Sequence, residues 1–186
     1  MKKYIYTVML LFMAITVTQA QRMVPKQKGL ELSVGVLSDD KIGNDYYINI
    51  GMTINGKKGN YQIWALEYTH QYHDYKDLRI PQETYTAEGG YSLFLLGDSR
   101  KNITVNAGIT GVVGYESINR GETMLYDGAK IVSEDNFIFG AGGRLTFETY
   151  LSDRFVLVFQ GRTKVLWGTD LRQFRPYAGV GLRFNF

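Results

Sequence analysis

The chain has 186 residues, which gives room for one domain. Its 21 Lys and Arg residues against 18 Asp and Glu residues are too closely balanced for a nucleic-acid-binding protein, which carries a concentrated basic face. Because the sequence contains no cysteine, disulfides, a lipid-modified cysteine and thiolate metal sites are excluded.

The first twenty residues have the features of a secretory signal peptide. Two lysines form a charged start, and residues 4–17 form an uncharged, largely apolar run. Thr18 and Ala20 then place small residues at the two positions that a signal peptidase recognises. An uncleaved membrane helix is the alternative, but it would need roughly 20 apolar residues, and the run is shorter. We therefore expect residues 1–20 to be removed after Ala20.

Apolar and polar residues alternate with a period of two along almost the whole mature chain, which is typical of half-buried β-strands. In one segment, Ile48 and Ile50 alternate with Asn49 and Gly51. One face of each segment is aliphatic and aromatic, and the other carries Gly, Thr, Ser, Asn and charged residues. Eight such segments occur, at residues 30–36, 47–54, 64–69, 85–93, 103–110, 137–148, 155–167 and 177–186.

The connections between the predicted strands alternate in length. Short turns lie at residues 55–60, 97–102 and 151–154, and longer loops lie around residues 38–46, 73–84, 117–136 and 168–175. Outer-membrane β-barrels have this arrangement, with turns in the periplasm and loops outside the cell. The 21 glycines, the 14 tyrosines and the lack of a further membrane-helix candidate after residue 20 also favour such a barrel.

The distribution of side chains predicts which face meets the membrane. A soluble barrel places apolar side chains inside, whereas here the small and charged face would form a poor dry core. In hydrocarbon every backbone N–H and C=O must be paired within the protein, so the strands must close into a ring. The sequence therefore predicts an all-β fold, an eight-stranded antiparallel transmembrane β-barrel over residues 29–186. Residues 21–28 would form a periplasmic N-terminal arm, and the protein would lie in the outer membrane of a Gram-negative bacterium.

Tyrosine and tryptophan are concentrated near the predicted strand ends. The loop-side group consists of Tyr46, Tyr72, Tyr85, Tyr115 and Trp167, and the turn-side group consists of Tyr61, Trp64 and Tyr150. Because these side chains prefer the membrane–water interfaces, we expect two aromatic girdles.

Charged residues of both signs lie on the predicted inner face. They are Glu67, Glu88, Arg144, Glu148, Arg162, Lys164 and Arg183. One interpretation is a proton path or a catalytic pair of acids. The favoured interpretation is a network of salt bridges that fills a barrel too narrow for an open channel, since unpaired charges there would cost several kcal/mol.

Other residues that can carry chemistry lack the necessary context. His70 and His73 lie three apart where the third strand meets its loop, a spacing that places them on opposite faces, and we interpret them as exposed loop histidines. Ser92 and Ser117 have no histidine at an obvious spacing. The glycine-rich run 140–143 lies inside a strand without the helix that a phosphate-binding loop needs. The sequence thus predicts no catalytic residue, metal site or cofactor.

The last predicted strand has the pattern of an assembly signal of bacterial outer-membrane proteins. Leu182, Phe184 and Phe186 place apolar side chains at every second position, with an aromatic residue at the end. The outer-membrane assembly machinery would be the corresponding partner.

Several stretches of the mature chain carry a family likeness. They are residues 21–31, Gly59-Asn60-Tyr61 with Trp64-Ala65-Leu66-Glu67-Tyr68, Ala87-Glu88-Gly89-Gly90-Tyr91-Ser92, residues 148–155 with 165–169, and residues 179–186. Together they resemble the TraO family of conjugative transposons of Bacteroides and relatives.

The resemblance implies an outer-membrane component of a conjugative DNA-transfer apparatus of the type IV secretion-like kind. Its partners would be membrane lipid and other conjugation proteins, without direct nucleic-acid binding. Because an eight-stranded barrel is too narrow for DNA or a pilus, such a protein would act by docking. The candidate surfaces are the outer loop 117–136 and the basic arm with Arg22, Lys26 and Lys28, although a disordered, solvated arm is equally compatible with the sequence. A surface adhesion barrel and a lipid-modifying enzyme are the alternative functions.

Overall fold

A computed structural model describes residues 23–37, 45–75, 78–100, 102–119 and 135–186. Eight antiparallel strands form a closed barrel in which each strand pairs with its neighbours in the chain and the last pairs with the first. The strands are β1 Lys28–Leu37, β2 Tyr46–Asn55, β3 Tyr61–Tyr75, β4 Leu78–Gly97, β5 Ile103–Ile118, β6 Asn136–Tyr150, β7 Phe155–Trp167 and β8 Phe174–Asn185. The predicted fold class is confirmed.

The barrel closes where β8 meets β1. Leu32 lies opposite Leu182, and the ladder runs on to Gly29 opposite Asn185. Beyond it, the N–H of Phe186 donates to the carbonyl of Lys28 at 2.8 Å. The ring of strands therefore has no open edge, as hydrocarbon surroundings require.

The two faces of the barrel are inverted relative to a soluble protein. Leu66, Ile109 and Phe137 are 67%, 76% and 66% exposed on the outside. In contrast, Asn106, Glu116 and many other polar side chains are buried inside. This inversion is what a surface in contact with lipid requires.

The three short turns lie where the sequence predicts them, between β2 and β3, β4 and β5, and β6 and β7. In the second of these, the N–H of Ile103 donates to Asp98 Oδ1 at 2.9 Å, and this hydrogen bond holds the pKa of the Asp98 carboxyl below its usual value. We call this end of the barrel the turn side and the opposite end the loop side.

The predicted loop at residues 73–84 is wrong. β3 and β4 continue through this region and pair up to Tyr75 opposite Leu78. β3, β4 and β5 have 15, 20 and 16 residues, more than the roughly 9–11 that cross a bilayer. Their loop-side ends therefore extend beyond the membrane, where both faces of a strand can be polar and the apolar alternation disappears.

The predicted turn-side girdle is partly wrong. Tyr61 and Tyr150 are 0% and 6% exposed and point into the barrel. Trp64 does face outward, and its ring covers Gly89 of the neighbouring strand. The position along β3 distinguishes these cases, because successive residues of a strand point to opposite faces. Tyr61 is an even number of residues from the inward-facing Glu67 and therefore points inward, whereas Trp64 is an odd number away and points outward.

The described part of the predicted arm, residues 23–28, folds onto the turn side. The N–H of Lys26 donates to the carbonyl of Asn55 at 2.7 Å, and the N–H of Asn55 donates to the carbonyl of Gln27 at 2.8 Å. Met23 is buried against Tyr150, Val156 and Val158. The alternative of a disordered, solvated arm is therefore wrong for these residues.

The predicted signal peptide and Arg22 lie outside the described residues. Within the described ranges, no helix is both long and apolar enough to span a membrane.

Candidate functional site

Among the residues that the structure describes, five carboxylates and five basic side chains are joined by ion pairs inside the barrel. They form three layers along the barrel axis. The turn-side layer consists of Glu31, Arg144, Glu148 and Arg183, the middle layer of Glu67, Glu88, Arg162 and Lys164, and the loop-side layer of Glu116 and Arg175. Each layer has equal numbers of acidic and basic groups.

The middle layer is a compact group of four charges. Arg162 binds Glu67 at 2.6 Å through one guanidinium nitrogen and Glu88 at 2.5 Å through the other. Lys164 Nζ lies 2.6 Å from Glu67 and 2.7 Å from Glu88. Both cations are thus shared by both carboxylates. Their side chains are at most 3% exposed, so solvent screens these interactions little.

Aromatic rings support the middle layer from one side. The Arg162 guanidinium lies 5.4 Å from the ring centre of Tyr47, and Lys164 Nζ lies 5.3 Å from that of Tyr177. Gly35 and Gly179 make room for the Tyr47 side chain, because a Cβ at Gly35 would collide with its ring and a Cβ at Gly179 with its hydroxyl. These glycines therefore have a packing role in strands that otherwise disfavour glycine.

The turn-side layer is organised around Arg183. Its guanidinium donates to Glu31 at 2.8 Å and to Glu148 at 3.0 Å. The Tyr61 hydroxyl donates to Glu148 at 2.6 Å, and its ring lies 4.6 Å below the guanidinium carbon. Arg144 adds a second contact to Glu31 at 3.3 Å.

The loop-side layer joins Arg175 and Glu116 at 2.6 Å. Gln82 and Thr169 each donate to Glu116 at 2.6 Å, so both carboxylate oxygens are occupied. The cavity beside this layer, lined by His73 and Gln82 among others, has a volume of about 20 Å³. Such a space accommodates about one water molecule rather than a ligand.

The structure brings all seven sequence-predicted interior residues together, and it adds three more. Glu31, Glu116 and Arg175 were missed, although all three have the inward parity of their strands. Glu31 lies within the first predicted strand, but it is not among the charged residues that the sequence analysis places on the inner face. Glu116 and Arg175 were missed because the predicted strands are too short on the loop side. The fifth predicted strand ends at residue 110, before Glu116, and the eighth begins at residue 177, after Arg175.

The arrangement limits what the interior can do chemically. Glu67 and Glu88 form a pair of acids, but each is bound by two cations, whereas a general acid or base must be able to reach a substrate. Ion-paired groups that fill the lumen instead hold the strands together and block it. Among the described residues, no three His, Asp or Glu side chains form a group that could hold a metal ion.

The two histidines differ from the prediction. They lie on opposite faces, but neither is an exposed loop residue. His70 is 8% exposed and packs edge-on against Tyr72 with ring centres 4.7 Å apart, whereas His73 faces inward and its Nε2 lies 2.5 Å from Gln82 Oε1.

The predicted assembly and docking residues occupy neighbouring positions on the turn side. Phe184 and Phe186 face outward, their rings stacked with centres 6.4 Å apart. Lys26 and Lys28 are exposed beside this seam. Their roles in assembly and docking stay predictions.

A family model for the conjugative transposon protein TraO matches residues 24–186, nearly the whole chain. The chain belongs to the TraO family. No relative is found among curated protein sequences. This TraO-family barrel is similar in fold to solved bacterial barrels.

Neisserial surface protein A shares 13% identity, with 87% of this chain and 97% of that chain covered and a TM-score of 0.60. Ail, the attachment invasion locus protein of Yersinia pestis, shares 9% identity, with 88% and 100% covered and a TM-score of 0.56. At these identities the likeness shows the fold of the TraO-family chain and does not extend to its function.

Proposed function

We propose that this TraO-family barrel is an outer-membrane component of a conjugative DNA-transfer apparatus and that it acts by docking to other proteins. The observation that carries the docking mode is the filled lumen. Three ion-paired layers and the buried Met23 occupy the interior, so neither a DNA strand nor a pilus can pass. An eight-stranded barrel is just wide enough for its own side chains. The function must then be carried by the surfaces at its two ends.

The apolar outer surface supports placement in a membrane. Leu66, Ile109 and Phe137 belong to a band of exposed large apolar side chains that would aggregate in water. A predicted signal peptide at residues 1–20 supports export, and the barrel class supports the outer membrane of a Gram-negative bacterium.

The folded arm is the docking surface that the geometry supports best. Backbone hydrogen bonds to Asn55 hold residues 26 and 27 against the barrel. Lys26 and Lys28 are therefore presented from a fixed backbone at the periplasmic end. A preorganised basic surface loses little entropy when it binds an acidic partner, and we infer that this partner is another protein of the transfer apparatus.

Gene deletion in donor and recipient cells tests the proposed function. Removing the gene from the donor should abolish conjugation, and a plasmid copy should restore it. Removing the gene from the recipient should have no effect, because the transfer apparatus is built by the donor. Undiminished transfer from the deleted donor would refute the role in conjugation.

A further inference from the structure

Three rows of side chains lie side by side on the outer face of β3, β4 and β5 near the loop side. The upper row is polar, because His70 lies opposite Glu83 and Glu83 lies opposite Ser117. The next row is aromatic and consists of Tyr68, Tyr85 and Tyr115. The lower row is apolar and consists of Leu66, Ala87 and Val113. The surface thus changes from polar to aromatic to apolar over five residues of each strand.

The lower row forms a trough because Ala87 is short. The larger side chains of Ile50, Leu66, Val113 and Phe137 surround it, together with the three tyrosines. The concavity has a volume of about 560 Å³ and is open to the surroundings of the barrel, so it can receive one side of an apolar chain. It lies at membrane depth, where an acyl chain is the available apolar occupant.

The tyrosine hydroxyls connect the trough to the polar row. The Tyr85 hydroxyl donates to Glu83 Oε2 at 3.3 Å, and the Tyr68 hydroxyl lies 3.3 Å from His70 Nδ1. The Tyr115 hydroxyl donates to Asp135 Oδ2, also at 3.3 Å. An ordinary aromatic girdle offers isolated rings at the interface, whereas here the rings share a hydrogen-bonded rim that includes two carboxylates.

The residue types of a hydrolase occur in the upper row, but their order does not suit catalysis. Glu83 lies between His70 and Ser117, so the backbones of the histidine and the serine are about 10 Å apart, two strand spacings. A serine nucleophile needs the histidine within hydrogen-bonding reach. Ser117 instead donates to Asp135 at 3.2 Å. The row therefore favours binding over chemistry.

We propose that this surface binds a glycolipid with an uncharged saccharide head, with one acyl chain in the trough and the head on the tyrosine row. Sugar hydroxyls are hydrogen-bond donors, for which the Glu83 and Asp135 carboxylates and the tyrosine oxygens are acceptors. The same two carboxylates repel the phosphate of an anionic phospholipid. The assignment rests on the membrane orientation proposed above and is independent of any role in conjugation.

Lipid retention by the purified, folded barrel tests the assignment. Vesicles contain equal amounts of a neutral glucosyl diacylglycerol and a phosphatidylglycerol with the same saturated chains. The barrel is extracted in detergent, and native mass spectrometry counts each lipid that stays bound. The wild-type barrel should retain the glycolipid in preference, and equal retention of the two lipids would overturn the proposal.

Filling the trough tests the site of binding. Ala87→Leu should lower glycolipid retention about ten-fold, because the larger side chain fills the floor of the trough on which the acyl chain would lie. Ala141→Leu is the matched control, since Ala141 is exposed on the same outer face away from the trough, and it should retain the glycolipid like the wild type. Equal retention by both variants, or an equal loss in both, would refute the site.

The head-group contacts provide a second test, which also applies if Ala87→Leu does not fold. Glu83→Gln combined with Tyr85→Phe removes a carboxylate and a hydroxyl without adding bulk. This variant should lose the preference for the glycolipid over the phospholipid, and an unchanged preference would contradict the proposed saccharide contacts. The measurement uses no transfer assay. A negative result would therefore refute lipid binding without affecting the proposed role in conjugation, and undiminished conjugation from the deleted donor would not affect the lipid assignment.

Discussion

Arg162 joins both carboxylates of the middle layer. It binds Glu67 and Glu88 and lies over the rings of Tyr47 and Tyr177 at 5.4 and 5.9 Å. Charged groups buried in this way are tolerated only with partners, and removing one partner costs more than the pair itself contributes. The planar guanidinium places one nitrogen against each carboxylate, a fixed geometry that the ammonium group of a lysine cannot reproduce.

Arg162→Ala should therefore lower the free energy of unfolding by about 3–5 kcal/mol. Denaturant titration in lipid vesicles, followed by the fluorescence of Trp64 and Trp167, measures this change. The double variant Arg162→Ala with Glu88→Gln should recover part of the loss, because it removes a carboxylate that has lost a partner. Arg154→Ala at the exposed turn is the control for loss of an arginine. A single variant as stable as this control would contradict the structural importance of the layer.

Which interior residues would face the lumen could be predicted from the sequence, but which residues they would contact could not. Alternation gives the direction of a side chain, since successive residues of a strand point to opposite faces. Arg144 lies opposite Arg162 on the neighbouring strand, yet it binds Glu31 on β1. Such contacts cross the lumen, so they depend on closure and register, which no local pattern encodes.

At the scale of elements, the arm and the β1–β8 seam present basic and aromatic side chains at one end of the barrel. Neutralising the arm with Arg22→Gln, Lys26→Gln and Lys28→Gln should lower conjugation roughly ten-fold through weaker charge complementarity. Quantitative mating from complemented donors measures the effect, and immunoblots should show unchanged barrel levels. Lys57→Gln with Arg154→Gln, two exposed turn-side positions outside the arm, is the control. Equal transfer by both variants would exclude the arm as the docking surface.

Phe186 allows recognition during assembly to be separated from stability of the seam. Its backbone hydrogen bonds to Lys28 do not involve the ring, and the side chain is 65% exposed. Phe186→Ala should therefore refold normally in detergent, but it should lower the amount of folded barrel in cells if the assembly machinery recognises the ring. Phe147→Ala, an exposed turn-side aromatic on β6 whose ring packs against Phe159 and not against Phe184 or Phe186, should lower neither quantity. Normal cellular levels of Phe186→Ala would show that the ring is incidental to assembly.

The ends of the strands could be predicted only where contact with the membrane imposes the alternation of apolar and polar residues. The turns at the turn side agree with the sequence because apolar alternation stops at the interface. On the loop side, β3 and β4 continue as a hairpin beyond the membrane, and His73, Gln82 and Pro81 lie within strands. Once both faces meet water, polar residues and proline no longer distinguish a strand from a loop.

At the scale of the whole molecule, the fold follows from a small set of constraints. Alternation over eight segments, the need to pair every backbone group in hydrocarbon and the even strand number together specify a closed barrel. The content of its lumen is a separate property, set by the pairing of acidic and basic residues that the alternation places inside. Whether such a barrel is an open channel or a closed scaffold depends on these side chains inside the lumen.

The closed lumen makes a prediction for the intact protein in a planar bilayer. The three charged layers and Met23 occupy the lumen, so we expect the purified barrel to produce no large, steady pore. Folded protein is verified by its different migration before and after boiling on a detergent gel. The triple variant Arg162→Ser, Lys164→Ser and Arg183→Ser removes the bulk of two layers, and any of it that folds should conduct ions more than the wild type. A stable porin-like conductance from the wild-type barrel would mean that several copies enclose a larger opening, and it would replace docking by transport as the basis of function.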